Sequence, residues 1–118
     1  MDIINLNFQL DHIGINHEDE EQAENNALLL NALFGFPLRN IPASVFANEQ
    51  IELMKAKGRG TMGHFAISTI NVSAAQKYLE SKGVEFDESS ASFNESGEKL
   101  VIYAKQELSG FAWHLMKR

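Results

Sequence analysis

The stretch Gly63-His64-Phe65-Ala66-Ile67 decides the fold, because it repeats a pattern that occurs earlier as Asp11-His12-Ile13-Gly14-Ile15. In each stretch a histidine leads into a run in which apolar residues recur at every second position. This period of two predicts a β-strand with the histidine on one face. If the two halves of the 118-residue chain are copies of one unit, the two histidines are equivalent, and paired strands can bring them to one site.

The composition predicts one compact domain and excludes several classes of function. The chain has 118 residues, of which 44% are hydrophobic, and a net charge of -6 that disfavours nucleic acid and anionic membranes as partners. It contains no cysteine, which excludes disulfides, thiolate zinc sites and thiol nucleophiles and fits a reducing cytosol. No apolar run reaches the roughly 18 residues that a membrane span needs. We therefore expect a soluble, cytoplasmic protein with no nucleic-acid or membrane partner.

The first half reads as a strand, a helix and three short strands. Residues 8–15 alternate as a strand that places His12 and Gly14 on one face. The following helix is expected to be capped by Asn16 or Asp19 and ended by Gly35. Its apolar stripe is predicted to consist of Ala23, Ala27, Leu30 and Phe34. Residues 36–39, 44–47 and 50–55 supply the strands that complete this half.

The second half repeats this order after a glycine-containing linker. Gly58-Arg59-Gly60-Thr61 is either a flexible connection or a backbone nest for a phosphate or carboxylate. A strand over residues 63–70 precedes a helix that Ser73 is expected to cap and Gly83 to end. Extended segments follow at residues 84–86, 92–95, 100–105 and 111–116. The predicted organisation is a single domain over residues 1–118, with module one at about 8–56, the linker at about 57–62 and module two at about 63–118.

Polar residues inside apolar strands are the candidates for chemistry. They are His12, Glu52, His64 and His114, each flanked by nonpolar residues. Three imidazoles and one carboxylate suit a divalent metal, and a buried carboxylate needs a positive partner. Taken singly, each histidine has a simpler interpretation as a hydrogen-bonded or surface residue, and Glu52 can face water while its neighbours are buried.

Three further polar residues receive weaker assignments. His17 precedes a run of carboxylates and is expected at the surface. Tyr103 and Lys55 are plausible acid or base groups near strand ends, although the sequence gives neither of them a neighbour.

On these residues the chain resembles the vicinal oxygen chelate superfamily, which includes glyoxalase I, methylmalonyl-CoA epimerase, fosfomycin-resistance proteins and extradiol dioxygenases. Residues 10–15 resemble its first strand, 51–53 its fourth, 63–66 its fifth and 110–115 its last. The resemblance implies an α+β fold of two βαβββ modules that form a half-open barrel around a divalent metal such as Ni, Zn, Co, Mn or Fe. It also implies His12, Glu52, His64 and His114 as the metal ligands. The last-strand ligand is normally Glu in this superfamily, and here it is His114.

The same resemblance implies a metal-dependent lyase or isomerase of the glyoxalase type that acts on a small carbonyl or enediolate metabolite. Glu52 and His114 would take part in proton transfer, and the protein would be a homodimer. Residues 78–86 and 110–115 are also similar to small superfamily members associated with keto-hydroxyglutarate and keto-deoxyphosphogluconate aldolase. This implies an alternative, a non-catalytic metabolite-binding or accessory module for such an aldolase, whose own barrel needs roughly 200 residues or more.

Overall fold

The computed structural model describes residues 3–118, except for the side chain of Ile4, and has the element order βαβββ twice. The elements are a 3-10 helix at Ile3–Leu6, β1 Gln9–Ile15, α1 Glu20–Phe34, β2 Leu38–Asn40, β3 Ser44–Ala47, β4 Ile51–Met54, β5 Gly63–Thr69, α2 Val72–Glu80, β6 Phe86–Phe93, β7 Lys99–Ala104 and β8 Phe111–Lys117. This order confirms the predicted α+β fold of two βαβββ units. Neither helix in residues 3–118 is both long enough and apolar enough to cross a membrane.

All eight strands form one curled sheet in the order β2-β3-β4-β1-β5-β8-β7-β6. The two halves meet at its centre, where β1 and β5 pair antiparallel. On either side, β1 is parallel to β4 and β5 is parallel to β8. The four central strands are therefore the first and last strand of each half, which are the strands that carry the candidate residues.

The helices cover one face of the sheet and leave the other face for polar residues. α1 packs on β3 and β4 through Ala23 and Ala27, which are buried against Val45 and Leu53. α2 packs on β7 and β8 and shares a larger core, whose buried members are Leu6, Val72, Ala75, Phe86, Ile102, Ala104, Trp113 and Leu115. Small alanines and larger aliphatic and aromatic side chains thus fix the sheet from the helical side.

The helix termini agree with the sequence prediction in the first half and differ in the second. The Asp19 side chain caps α1 by accepting from the Gln22 amide at 2.9 Å, and Gly35 ends the helix with a φ of 70°. α2 is capped by Asn71, which accepts from the Ala74 amide at 3.0 Å, so the prediction of Ser73 as its cap is wrong. Asparagine is at least as good a cap as serine, and it starts the helix two residues earlier.

Two further local predictions are wrong. The segments 84–86 and 92–95 were predicted as separate strands, but a single strand, β6 at Phe86–Phe93, runs from the end of the first into the second. Its polar middle pairs irregularly with β7, with register shifts between Asp87 and Phe93. The alternation of apolar and polar residues is too weak in this stretch to predict the strand. Phe34 is 62% exposed rather than buried, because α1 approaches the sheet through its alanines.

Candidate metal centre

The four candidate residues converge on the face of the sheet opposite the helices. The Glu52 Oε1 atom lies 3.4 Å from His12 Nε2 and 3.2 Å from His64 Nε2. One ring nitrogen from each of His12, His64 and His114 lies within 4.8 Å of the others. β1, β4, β5 and β8 each contribute one of these side chains, so both halves of the chain build the cluster.

The glycine at position 14 creates the space for this cluster. Gly14 pairs with Glu52 on β4 and with His64 on β5, so it lies between them in the sheet. A Cβ atom at this position would lie 2.1 Å from His64 Cε1. The imidazole of His64 therefore occupies the volume that any other residue at position 14 would fill.

Asp11 orients His12. The register of β1 against β5 shifts between Leu10 and His12, so Asp11 falls at a bulge. Its Oδ2 atom lies 2.7 Å from His12 Nδ1, which directs the other ring nitrogen towards Glu52. A carboxylate that holds the outer nitrogen of a metal-binding histidine is a common arrangement around metal ions. This role of Asp11 was not predicted, although an acid directly before a candidate ligand is a usable sequence signal.

Ser44 orients Glu52 in a similar way. The Ser44 hydroxyl is buried and donates to Glu52 Oε2 at 2.7 Å, which leaves Oε1 facing the two histidines. The pairing of β3 with β4 offsets Ser44 from Glu52, and nothing in the local sequence indicates the contact. The sequence analysis missed this residue as well.

These contacts set the charges of Glu52 and His12. Burial would raise the pKa of Glu52, but hydrogen bonds with His12, His64 and Ser44 outweigh it and hold this pKa far below its usual range. Burial would lower the pKa of His12, but hydrogen bonds to Glu52 and Asp11 outweigh it and raise this pKa above 6.5. Glu52 is therefore a carboxylate throughout the physiological pH range, and its charge favours the protonated form of His12.

His114 differs from the other members of the cluster. Its Nδ1 atom lies 3.1 Å from the Leu115 carbonyl and donates to it as N–H, which leaves the Nε2 lone pair available. Burial lowers the pKa of His114 to about 4, so the ring is neutral at pH 7. A neutral imidazole is the form that binds metals.

The three histidines form a cluster that could hold a divalent metal, and the distances from Glu52 to His12 and His64 are compatible with a fourth ligand there. Four ligands at about 2.1 Å around a tetrahedral ion lie about 3.4 Å from one another, which is close to the 3.2 and 3.4 Å between Glu52 and its two histidines. None of the four residues is more than about 12% exposed. An ion held there would be shielded from bulk water and open only to a small ligand.

Of the two weaker acid/base candidates, only Tyr103 lies beside the cluster. Its ring centroid is 4.7 Å from that of His114, and burial raises the pKa of its hydroxyl. The guanidinium carbon of Arg59 lies 4.5 Å from the centroid of the same ring, on the linker side. Lys55 instead donates to Asn40 Oδ1 at 2.6 Å and to the Ile41 carbonyl at 2.8 Å. It therefore stabilises the end of β2 and the turn that follows.

His17 is the one histidine outside the cluster, and the prediction that it lies at the surface is wrong. It is 8% exposed, and its Nδ1 atom lies 3.0 Å from the Ile15 carbonyl and 3.1 Å from the Met54 carbonyl. Its Nε2 atom lies 3.0 Å from the side-chain nitrogen of Asn26. His17 therefore connects the ends of β1 and β4 to α1.

The linker between the halves is held in place. The Asn16 side chain donates to the Gly60 carbonyl at 3.0 Å and accepts from the Gly58 amide at 3.3 Å. Gly60 has a φ of 86°, and a Cβ atom there would lie 1.8 Å from the Gly63 carbonyl oxygen. Gly60 is thus required by close backbone contact, and the linker positions Arg59 between two anchored residues.

No protein-family model and no curated protein sequence matches this chain. Several solved structures are similar to this chain. Methylmalonyl-CoA epimerase from Mycobacterium tuberculosis is 17% identical with a TM-score of 0.66, covering 99% of this chain and 91% of that one. The hypothetical protein BH1468 from Bacillus halodurans C-125 is 17% identical with a TM-score of 0.65 and 95% coverage of both chains. A variant of the Streptomyces coelicolor epimerase in complex with 2-nitronate-propionyl-CoA is 17% identical with a TM-score of 0.60, covering 92% and 96%. The chain therefore has the glyoxalase-like βαβββ fold.

Proposed function

We propose that the protein is a divalent-metal-dependent isomerase or lyase of the vicinal oxygen chelate type, acting on a small carbonyl or enediolate metabolite. The observation that carries this proposal is the cluster of one carboxylate and three imidazoles, contributed by the first and last strands of both halves. His12, Glu52 and His64 would hold the metal, and His114, the fourth predicted ligand, would keep its one free lone pair, on Nε2, for the substrate proton. A bound divalent ion would supply a Lewis acid that stabilises negative charge on substrate oxygens.

Other side chains position the ligands and transfer the proton. Asp11 and Ser44 hold His12 and Glu52 in position, so that little reorganisation is needed when a ligand binds. Of the two residues expected to move a proton, His114 suits this role better than Glu52. The Glu52 anion is stabilised by several hydrogen bonds, whereas the Nε2 atom of neutral His114 keeps a free lone pair. We assign proton transfer to His114 on this basis.

Metal content tests this proposal most directly. The protein, purified without added metal, is analysed by inductively coupled plasma mass spectrometry. We expect about one divalent ion per chain, and His64→Ala should lose it. His17→Gln is the matched control, because it alters the one histidine outside the cluster and should keep the ion. A wild-type protein that takes up no stoichiometric ion even after addition of Ni, Zn, Co, Mn or Fe would contradict the proposal.

The reaction is tested on the metal-loaded protein. Methylmalonyl-CoA is one substrate to assay, because solved epimerases with this fold bind it, and the methylglyoxal–glutathione adduct is the other. Exchange of the substrate α-proton for deuterium in D₂O reports proton transfer without requiring net turnover. His114→Gln should abolish this exchange, while the ligand set of His12, Glu52 and His64 still binds metal.

The alternative function is a non-catalytic module that binds a metabolite and serves a separate keto-hydroxyglutarate or keto-deoxyphosphogluconate aldolase. His114 favours it to the extent that a neutral imidazole replaces the carboxylate expected at this position. A protein that binds metal and a small sugar acid, but exchanges no proton on either substrate, would support the accessory role over the isomerase.

We also propose that the protein forms a homodimer in the cytoplasm. Four large apolar side chains on α1, Leu28, Leu29, Leu33 and Phe34, are each more than half exposed. A second copy of the chain would bury them, and exposed apolar surface of this kind commonly marks an interface. The absence of cysteine fits a reducing compartment.

A further inference from the structure

The side chains that flank the metal cluster are of the same kind in the two halves. Strand pairing places Tyr103 beside His114 on one side of the cluster and Phe46 beside Glu52 on the other. Each aromatic ring carries an arginine, whose guanidinium carbon lies 4.5 Å from the ring centroid. The cluster therefore has an aromatic ring and a cation on each side.

The two arginines are not equally available. Arg39, over Phe46, donates from Nε to both carboxylate oxygens of Glu49, at 2.8 and 3.0 Å. Arg59, over Tyr103, has a single contact at 3.6 Å with Asp87. The charge of Arg39 is therefore neutralised by a carboxylate at 2.8 Å, whereas the carboxylate paired with Arg59 lies farther away, at 3.6 Å, and leaves its guanidinium more available to another anion.

Asp87 itself is largely occupied by other groups. One of its oxygens accepts from the Ser89 hydroxyl at 2.6 Å and from the Ser89 amide at 3.1 Å. Its other oxygen is the distant partner of Arg59. Asp87 and the Tyr103 ring therefore hold the arginine in place without saturating its hydrogen-bonding capacity, and the anchored linker restricts it from the backbone side.

We propose that Arg59 binds a carboxylate of the substrate and thereby selects small carbonyl acids over neutral carbonyl compounds. This inference rests on the proposed function, since it names the substrate class of the same site. The guanidinium fork matches a carboxylate in shape and charge. A divalent ion held by neutral histidines and the Glu52 carboxylate leaves one positive charge within the ligand set, which attracts an anionic ligand as well. The tyrosine ring between Arg59 and His114 sets the spacing between the two binding points.

Two probes test the preference for a carboxylate. Succinate monohydroxamate and butyrohydroxamate share the metal-chelating group and differ at the far end, where one bears a carboxylate and the other a methyl group. Calorimetry on zinc-loaded protein should show that the wild type binds the carboxylate probe about tenfold or more tightly than the neutral one. Arg59→Gln should lose this preference and keep its metal, and Arg59→Lys should keep part of it.

Arg39→Gln is the matched control, because Arg39 has the same cation–ring geometry in the other half. It should keep the full preference. Equal affinities of the two probes for wild-type protein would overturn the proposal, and so would an equal loss of preference in Arg39→Gln and Arg59→Gln.

A second measurement does not depend on the metal. In metal-free protein, the NMR resonance of the Arg59 Nε–H group should move when succinate monohydroxamate is added and stay in place with butyrohydroxamate. No movement with the carboxylate probe would overturn the assignment of Arg59. Failure to bind metal, together with a moving Arg59 resonance, would instead overturn the proposed function and retain the carboxylate site.

Discussion

Gly14 is the residue on which the position of His64 depends most directly. The imidazole of His64 fills the space where a side chain at position 14 would lie, and Gly14 pairs with both Glu52 and His64. A glycine inside a strand weakens the sheet because it has no side chain to pack. Here that cost is offset by the close approach of two polar groups from neighbouring strands.

We predict that Gly14→Ala weakens metal binding about 10- to 100-fold and leaves the fold intact. The three atoms nearest to the new methyl group all belong to the His64 ring, which can rotate away from the cluster. Metal affinity from competition with a chromophoric chelator, together with far-ultraviolet circular dichroism, measures both effects. Gly58→Ala is the control, because a Cβ atom there makes only an ordinary contact at 3.9 Å. Wild-type affinity in Gly14→Ala would contradict the prediction.

The raised pKa of His12 predicts that metal binding releases a proton. At pH 6.5 His12 is more than half protonated in metal-free protein, because Glu52 and Asp11 favour its charged form, and a metal requires the neutral ring. Metal affinity should therefore rise with pH until the pH exceeds the pKa of His12. His114 contributes nothing in this range, because its pKa of about 4 keeps it neutral.

Calorimetry of zinc binding at pH 6.5, in buffers with different ionisation enthalpies, counts the released protons. Asp11→Asn should reduce the count, since it removes one of the two carboxylates that raise the pKa of His12. The same protonation makes the stability of the metal-free protein depend on pH. The charged His12 stabilises the metal-free protein below pH 6.5, and this contribution is lost as the pH rises through the pKa of His12 in the folded state. Zinc binding without proton release at pH 6.5 would count against the raised pKa.

At the scale of the elements, the strands that carry the cluster could be predicted from sequence, but the orientation of the side chains on them could not. The alternation around His12, Glu52, His64 and His114 is local information, and it places each residue on one face of a strand. Asp11 reaches His12 only because of a bulge between β1 and β5, a contact between distant parts of the chain. Sequence patterning therefore predicts which residues can meet, and strand pairing decides how they are oriented.

α1 shows a second limit of patterning. Its stripe was expected to include Phe34, but the helix packs through Ala23 and Ala27, whose small side chains bring it close to the sheet. Leu30 packs partly against this core as predicted, whereas Phe34 and the leucines at positions 28, 29 and 33 face away from it. A pattern of apolar residues shows that a helix has faces to cover, and it does not show whether its own chain or another chain covers each of them.

We predict that the double variant Leu29→Glu, Leu33→Glu is monomeric, whereas the wild type is a dimer. These side chains are 54% and 63% exposed and lie one helical turn apart. Charges on both copies would repel one another across an interface between α1 helices. Sedimentation equilibrium measures the mass, and circular dichroism verifies that the variant is folded. Ile70→Glu replaces an apolar residue of similar exposure outside α1, and it should stay dimeric. A monomeric wild type would contradict the proposed dimer.

At the scale of the whole molecule, the two halves share one site across a long sheet. The described chain measures 44 × 29 × 24 Å, and its radius of gyration of 15.3 Å exceeds the roughly 13.5 Å expected for a compact chain of this length. Each helix covers strands of its own half, so the halves meet through β1 and β5. An ion held by residues from both halves would link them across this central pairing.

Metal binding should therefore stabilise the whole protein against heat. An ion that binds only the folded state, at about 100 times its dissociation constant, adds about 2.7 kcal/mol to the free energy of unfolding. For a chain of this size that corresponds to an increase in Tm of about 10 °C. Scanning calorimetry with and without zinc should show this increase in wild type and in His17→Gln. His12→Gln and His64→Ala should both lose it, because each removes a ligand from a different half. If only one of these two variants lost the increase, the ion would be held by a single half, and the shared site would be ruled out.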